Sequence, residues 1–139
     1  MSDVLKPGEK LEQNELWKLA TELAEFFYGE ISQLPEEEKW GIQSKLRQRS
    51  FECTSDIAEA VGSIDPRDKT HSYGLARRSL FGVRNAYSLA CKAGFLSIDP
   101  DIMVKIDKVT MLLDQQIIES TANIQAWYEE FEDPRKKQK

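Results

Sequence analysis

Residues 73–94 read Tyr73-Gly74-Leu75-Ala76-Arg77-Arg78-Ser79-Leu80-Phe81-Gly82-Val83-Arg84-Asn85-Ala86-Tyr87-Ser88-Leu89-Ala90-Cys91-Lys92-Ala93-Gly94. Within them Tyr73, Ala76, Leu80, Val83, Tyr87, Ala90 and Gly94 alternate steps of three and four, the spacing of a seam between nearly antiparallel helices. A helix over residues 67–93 is predicted, bounded by Pro66 and Gly94. The pattern extends outward in both directions. Prolines stand only at positions 7, 35, 66, 100 and 134. Each costs about 3 kcal/mol in a helix interior but is tolerated at helix starts and in connections, so the four proline-free intervals predict four helices.

Leu16, Leu19, Ala20, Leu23, Phe27, Ile31 and Leu34 form the apolar stripe of a first helix, 12–33. In a second, 37–61, Ile42, Leu46, Cys53, Ile57 and Val61 recur at steps of four and seven, Ser50 fills the missing turn, and Gly62 supplies a C-terminal glycine. The fourth, 100–132, has Asp99 as N-cap and Pro100 at its first position. It carries Ile102, Ile106, Val109, Leu113, Ile117, Ser120, Ile124, Trp127 and Phe131. Short connections place each helix antiparallel to its predecessor, an all-α, up-down-up-down four-helix bundle. The charged tail 133–139 is expected to be disordered.

The chain has 139 residues, 40% hydrophobic and 31% charged. These values define one soluble globular domain large enough to need no disulfide or metal staple. Cys53 and Cys91 form no CxxC or Cys/His cluster and are expected as small apolar side chains. MSDVLKPGEK has no apolar core for a signal peptide, and no segment has the eighteen apolar residues of a membrane span. A cytoplasmic location is expected.

Chemistry is sparse. The single His71 lacks any partner motif and is expected on the solvated surface. A di-iron bundle needs Glu-x-x-His on two helices, which one histidine cannot supply. GxGxxG and GxxxxGK[ST] are both absent, and the Glu36-Glu37-Glu38 run after Pro35 suits the positive end of a helix. The expectation is a protein with no catalytic residue, metal, cofactor or small-molecule substrate.

Charge distribution is more informative than any motif. The net charge of −5 hides a strong segregation. Residues 1–38 hold ten acidic and three basic side chains, residues 39–94 five and ten, and residues 95–139 nine and six. The basic centre supplies Lys45, Arg47, Arg49, Arg77, Arg78 and Arg84 as a candidate phosphate-binding set for RNA or DNA. The competing reading, and the weightier one, pairs these cations with carboxylates of helices 1 and 4, within a bundle or between subunits. Apolar residues beyond the core stripes, among them Trp17, Phe26, Tyr28, Met111, Leu112 and Ile118, mark a candidate self-association surface. A wide core stripe is the alternative.

Several runs carry a family resemblance. They are Leu16-Trp17-Lys18, Leu34-Pro35-Glu36-Glu37-Glu38-Lys39-Trp40-Gly41-Ile42, Lys45-Leu46-Arg47, Ser55-Asp56-Ile57-Ala58-Glu59-Ala60-Val61-Gly62 and, on helix 3, Leu75-Ala76-Arg77 through Gly94-Phe95-Leu96. Together they resemble the four-helix-bundle proteins encoded in 23S ribosomal RNA intervening sequences, with motifs over residues 15–96 and only the apolar pattern beyond. The resemblance implies a left-handed antiparallel bundle, a ring-like homopentamer and no assigned catalysis. Through the related accessory subunits of diversity-generating retroelements, it also implies a second reading, an adaptor for a reverse transcriptase or other nucleic-acid enzyme. The departures are Gln48 with the second arginine displaced to Arg49, Cys53-Thr54 for the usual Ile-Pro, Asp56 for Asn, and Arg78-Ser79 with Gly82 and Arg84 on helix 3. Apolar periodicity survives all of these, whereas a shared RNA site need not.

Overall fold

The computed structural model describes residues 10–137. Its four long helices are α1 (Glu15–Ile31), α2 (Ile42–Gly62), α3 (Pro66–Lys92) and α4 (Pro100–Trp127), and a final turn, α5, covers Pro134–Lys137. No strand is present among the described residues. Consecutive helices pack side by side and α4 returns against α1, closing a four-helix bundle in which α2–α3 is the most extensive seam and α1–α4 the thinnest.

Local chemistry fixes the ends. Asp99 caps α4 as the sequence predicts, and Asp65 caps α3 in the same way. Asp65 accepts from Arg67 N at 2.9 Å, and Asp99 accepts from Asp101 N at 2.9 Å. α3 stops at Gly94, whose φ of +84° costs glycine nothing. Phe95 N then reaches Ala90 O and Gly94 N reaches Cys91 O, the paired bonds of a Schellman turn.

Three boundaries differ from expectation by three residues or more. α1 starts at Glu15 rather than 12, because Asn14 is extended and takes the Trp17 N–H at 2.9 Å, leaving Leu11–Gln13 as a separate 3₁₀ turn. α2 starts at Ile42 rather than 37. Glu36–Glu38 forms its own 3₁₀ turn, and Gly41, at φ −104° and ψ −108°, breaks the path between the two. α4 ends at Trp127, and the apolar pattern continues to Phe131 through the π-helical turn Tyr128–Glu132, closed by Asp133 N to Tyr128 O at 2.8 Å. The disorder expected of the tail is corrected for its first residues: Asp133 is buried, accepts from Arg135 N at 3.0 Å, and starts α5. Residues 138–139 lie outside the described part.

The core is the one the seams predict as far as Leu113; beyond it, Ile117, Ile124 and Trp127 on α4 are only half-buried and Phe131 is exposed. Phe27, Leu46, Ile57, Leu80, Val83, Tyr87, Ile106, Val109 and Leu113 are the core's largest fully buried side chains. Phe26, Phe27 and Tyr87 meet edge to face, with centroids 5.1 to 6.1 Å apart. The Tyr87 hydroxyl accepts from Asp99 N at 2.7 Å and so binds the α3–α4 connection to the core. Cys53 is buried and Cys91 half-buried, both free thiols. Burial pushes the Cys53 thiol up to about 12.

Candidate interaction surfaces

The six cations do not form one patch. Antiparallel packing of α3 on α4 sets Arg77 Nε 2.6 Å from Asp114 Oδ1 and, two turns along, Arg84 Nη1 2.5 Å from Asp107 Oδ1. The Arg77 guanidinium also covers the Phe81 ring at 4.7 Å. Arg49 Nη1 pairs within α2 with Glu52 Oε2 at 3.2 Å. Lys45, Arg47 and Arg78 are exposed and have no ion-pair partner among the described residues. On the other side of α4, Lys105 meets Glu22 at 2.9 Å and Lys108 meets Glu15 at 3.4 Å, both on α1. Acidic α1 is thereby joined to α4 by lysines, and basic α3 to α4 by aspartates. Each pair is substantially exposed and contributes orientation more than stability.

The six apolar candidates divide as well. Trp17, Phe26 and Leu112 are half-buried against the bundle's own core, as a wide core stripe requires. Tyr28, Met111 and Ile118 are exposed. Val104 is 66% exposed, Met111 50% and Ile118 70%, and seven-residue steps align them as one ridge on the face of α4 opposite its core stripe. Outside the candidate set, Phe51 on α2 is 59% exposed and Trp40 still more so. Phe51 was missed because it falls between the core positions of α2. Its signal was the breach of an otherwise polar face.

Acidic side chains gather where α2 faces α3. Burial and neighbouring Glu59 push Asp56 up to about 6, Glu52 adds to the rise, and His71, which is exposed on α3, opposes it. Among the described residues no set of three His, Cys, Asp or Glu side chains is placed to hold a metal ion. Nor is any helix there long and apolar enough to cross a membrane.

Four antiparallel helices around one apolar core, with charge-paired flanks and one helix bearing a second apolar line, define the class as an all-α four-helix bundle. The particular family follows from the sequence of that bundle. The 23S rRNA-intervening sequence protein family model matches residues 12–115, from the turn before α1 to the middle of α4, and the chain belongs to that family. No curated protein matches it.

Proposed function

We propose that this chain is a non-enzymatic, self-assembling binding or scaffold module, with a homopentamer as its assembly. The observation that carries the reading is the outward line of Val104, Met111 and Ile118, which a monomer leaves in water while its core is already filled. The test is mass. Light scattering on the eluting protein at micromolar concentration is expected to give about 80 kDa, five copies of the 16.0 kDa chain. A strictly monomeric particle overturns the proposal.

A second reading, a nucleic-acid-binding accessory subunit for a reverse transcriptase or similar enzyme, is supported by Lys45, Arg47 and Arg78, whose charges are not neutralised by nearby carboxylates among the described residues. Binding of RNA or DNA at 50 mM salt that weakens steeply as salt rises, and flattens in the triple variant Lys45→Ala, Arg47→Ala, Arg78→Ala, is its expected signature. An absence of binding at that salt removes it.

A further inference from the structure

We infer that the α4 ridge of one copy docks in the α1/α2 groove of a second copy standing in the same direction, a head-to-tail contact; this rests on the self-assembly proposed above. The groove is located by elimination. One flank of α1 faces α4 through Glu15 and Glu22, and one flank of α2 faces α3 through Arg49 and Glu52. Their remaining flanks face each other, and the outer rim between them carries Tyr28 and Phe51, 45% and 59% exposed.

Heights agree. On α2 and α3, Arg49 lies against Gly82 and Glu52 beside Ser79. On α3 and α4, Arg84 stands opposite Asp107 and Arg77 opposite Asp114. Counting along the antiparallel helices from these pairs puts Arg47 level with Asp107, Phe51 with Met111, and the small Ala58 with the protruding Ile118. A second copy generated by rotation about an axis parallel to the bundle keeps those levels, so Met111 meets Phe51 and Asp107 meets Arg47.

Charge selects the direction. At home, the Lys105/Lys108 flank of α4 faces α1 and the Asp107/Asp114 flank faces α3. When the ridge turns to a groove on a copy standing the same way, the lysine flank again meets α1, where Glu25 is exposed, and the aspartate flank meets α2, where Arg47 is exposed. An end-for-end flip exchanges the flanks and sets Lys108 against the Arg47 wall, a like-charge contact. Ridge and groove are different surfaces, neither self-complementary nor diametrically opposed. Repetition of the contact therefore turns toward a closed ring instead of stopping at a two-fold dimer.

The test uses two chains, Met111→Glu, which spoils only the ridge, and Phe51→Glu, which spoils only the groove. Each alone is expected to be monomeric with unchanged helix content. Mixed, they retain one sound ridge and one sound groove and are expected to give a particle of about 32 kDa, two copies of the 16.0 kDa chain. Arg47→Glu in the groove-bearing chain should weaken that pair about tenfold, and Asp107→Arg in the ridge-bearing chain should restore it. An assembled wild type whose two variants stay assembled alone, or stay monomeric when mixed, overturns this contact and leaves self-assembly standing. Loss with Arg47→Glu and no restoration overturns the direction. A monomeric wild type overturns self-assembly itself.

Discussion

The two faces of α4 are both lined with aliphatic side chains, yet they differ in kind. Inward, Ile102, Ile106, Val109 and Leu113 step by four, three and four and are buried in the core. Outward, Val104, Met111 and Ile118 step only by seven, with Asp107, Lys108, Asp114 and Gln115 beside them on that side of the helix, and stay exposed. A stripe that steps by three and four covers enough of the helix surface to join a core. A single file one residue wide suits insertion between two helices of another body. Identical chemistry thus stands in two settings, separated by angular width.

Substitutions on the two faces should therefore separate sharply. Leu113→Ala, in the core, is expected to cost about 3 kcal/mol of folding free energy in urea titration, with a cavity contribution on top of lost transfer energy. If Leu113→Ala and Met111→Ala cost the same in a monomeric background, the distinction between the faces fails. Asp99→Ala removes the cap shared by both faces and should cost about 1 kcal/mol, read as a lower thermal midpoint with assembly unchanged.

The acidic flank of α2 offers a gain instead of a loss. Asp56 titrates near 6 in the fold against an ordinary value of 3.8, so the native state holds a proton more tightly than the unfolded chain does. Its stability penalty is absent below about pH 4 and complete above about pH 6. Asp56→Asn is expected to stabilise the protein by about 1 kcal/mol at pH 8, discounted for solvent screening, and to be neutral at pH 3.5. Equal effects at both values refute the assignment. Smallest of all, Arg84→Ala breaks an exposed pair and should change monomer stability by less than about 1 kcal/mol, with any difference shrinking in 1 M salt.

Much of the bundle was legible, for reasons that particular residues make clear. Pro100 announces its helix start to the residue and Pro66 to within one, because an aspartate cap and the proline after it act locally. The start of α2 was misread because Glu36–Glu38 looks like a first helical turn, and the break at Gly41 depends on a backbone conformation that glycine permits without compelling. The end of α4 was misread because Ile124, Trp127 and Phe131 keep the three-and-four spacing of an α-helix in the sequence, and that spacing carries no sign of the π-helical turn over Tyr128–Glu132. At the candidate surfaces, the cations were visible but not their fates. Whether Arg77 is free or held depends on Asp114, thirty-seven positions away, and only the register of α3 on α4 brings the two together. The half-burial of Trp17, Phe26 and Leu112 likewise follows from the breadth of the core, which no single helix displays.

The thin α1–α4 seam has a consequence for motion. α1 is fastened broadly to α2 alone, whereas α2 and α3 share the deepest contact in the bundle. Native-state amide exchange should accordingly proceed in order, with α1 surrendering its protons through partial openings and the α2–α3 hairpin releasing its own only when the whole chain unfolds. The first helix is then expected to open ahead of the α2–α3 hairpin, and any copy seated against α1 would slow that opening.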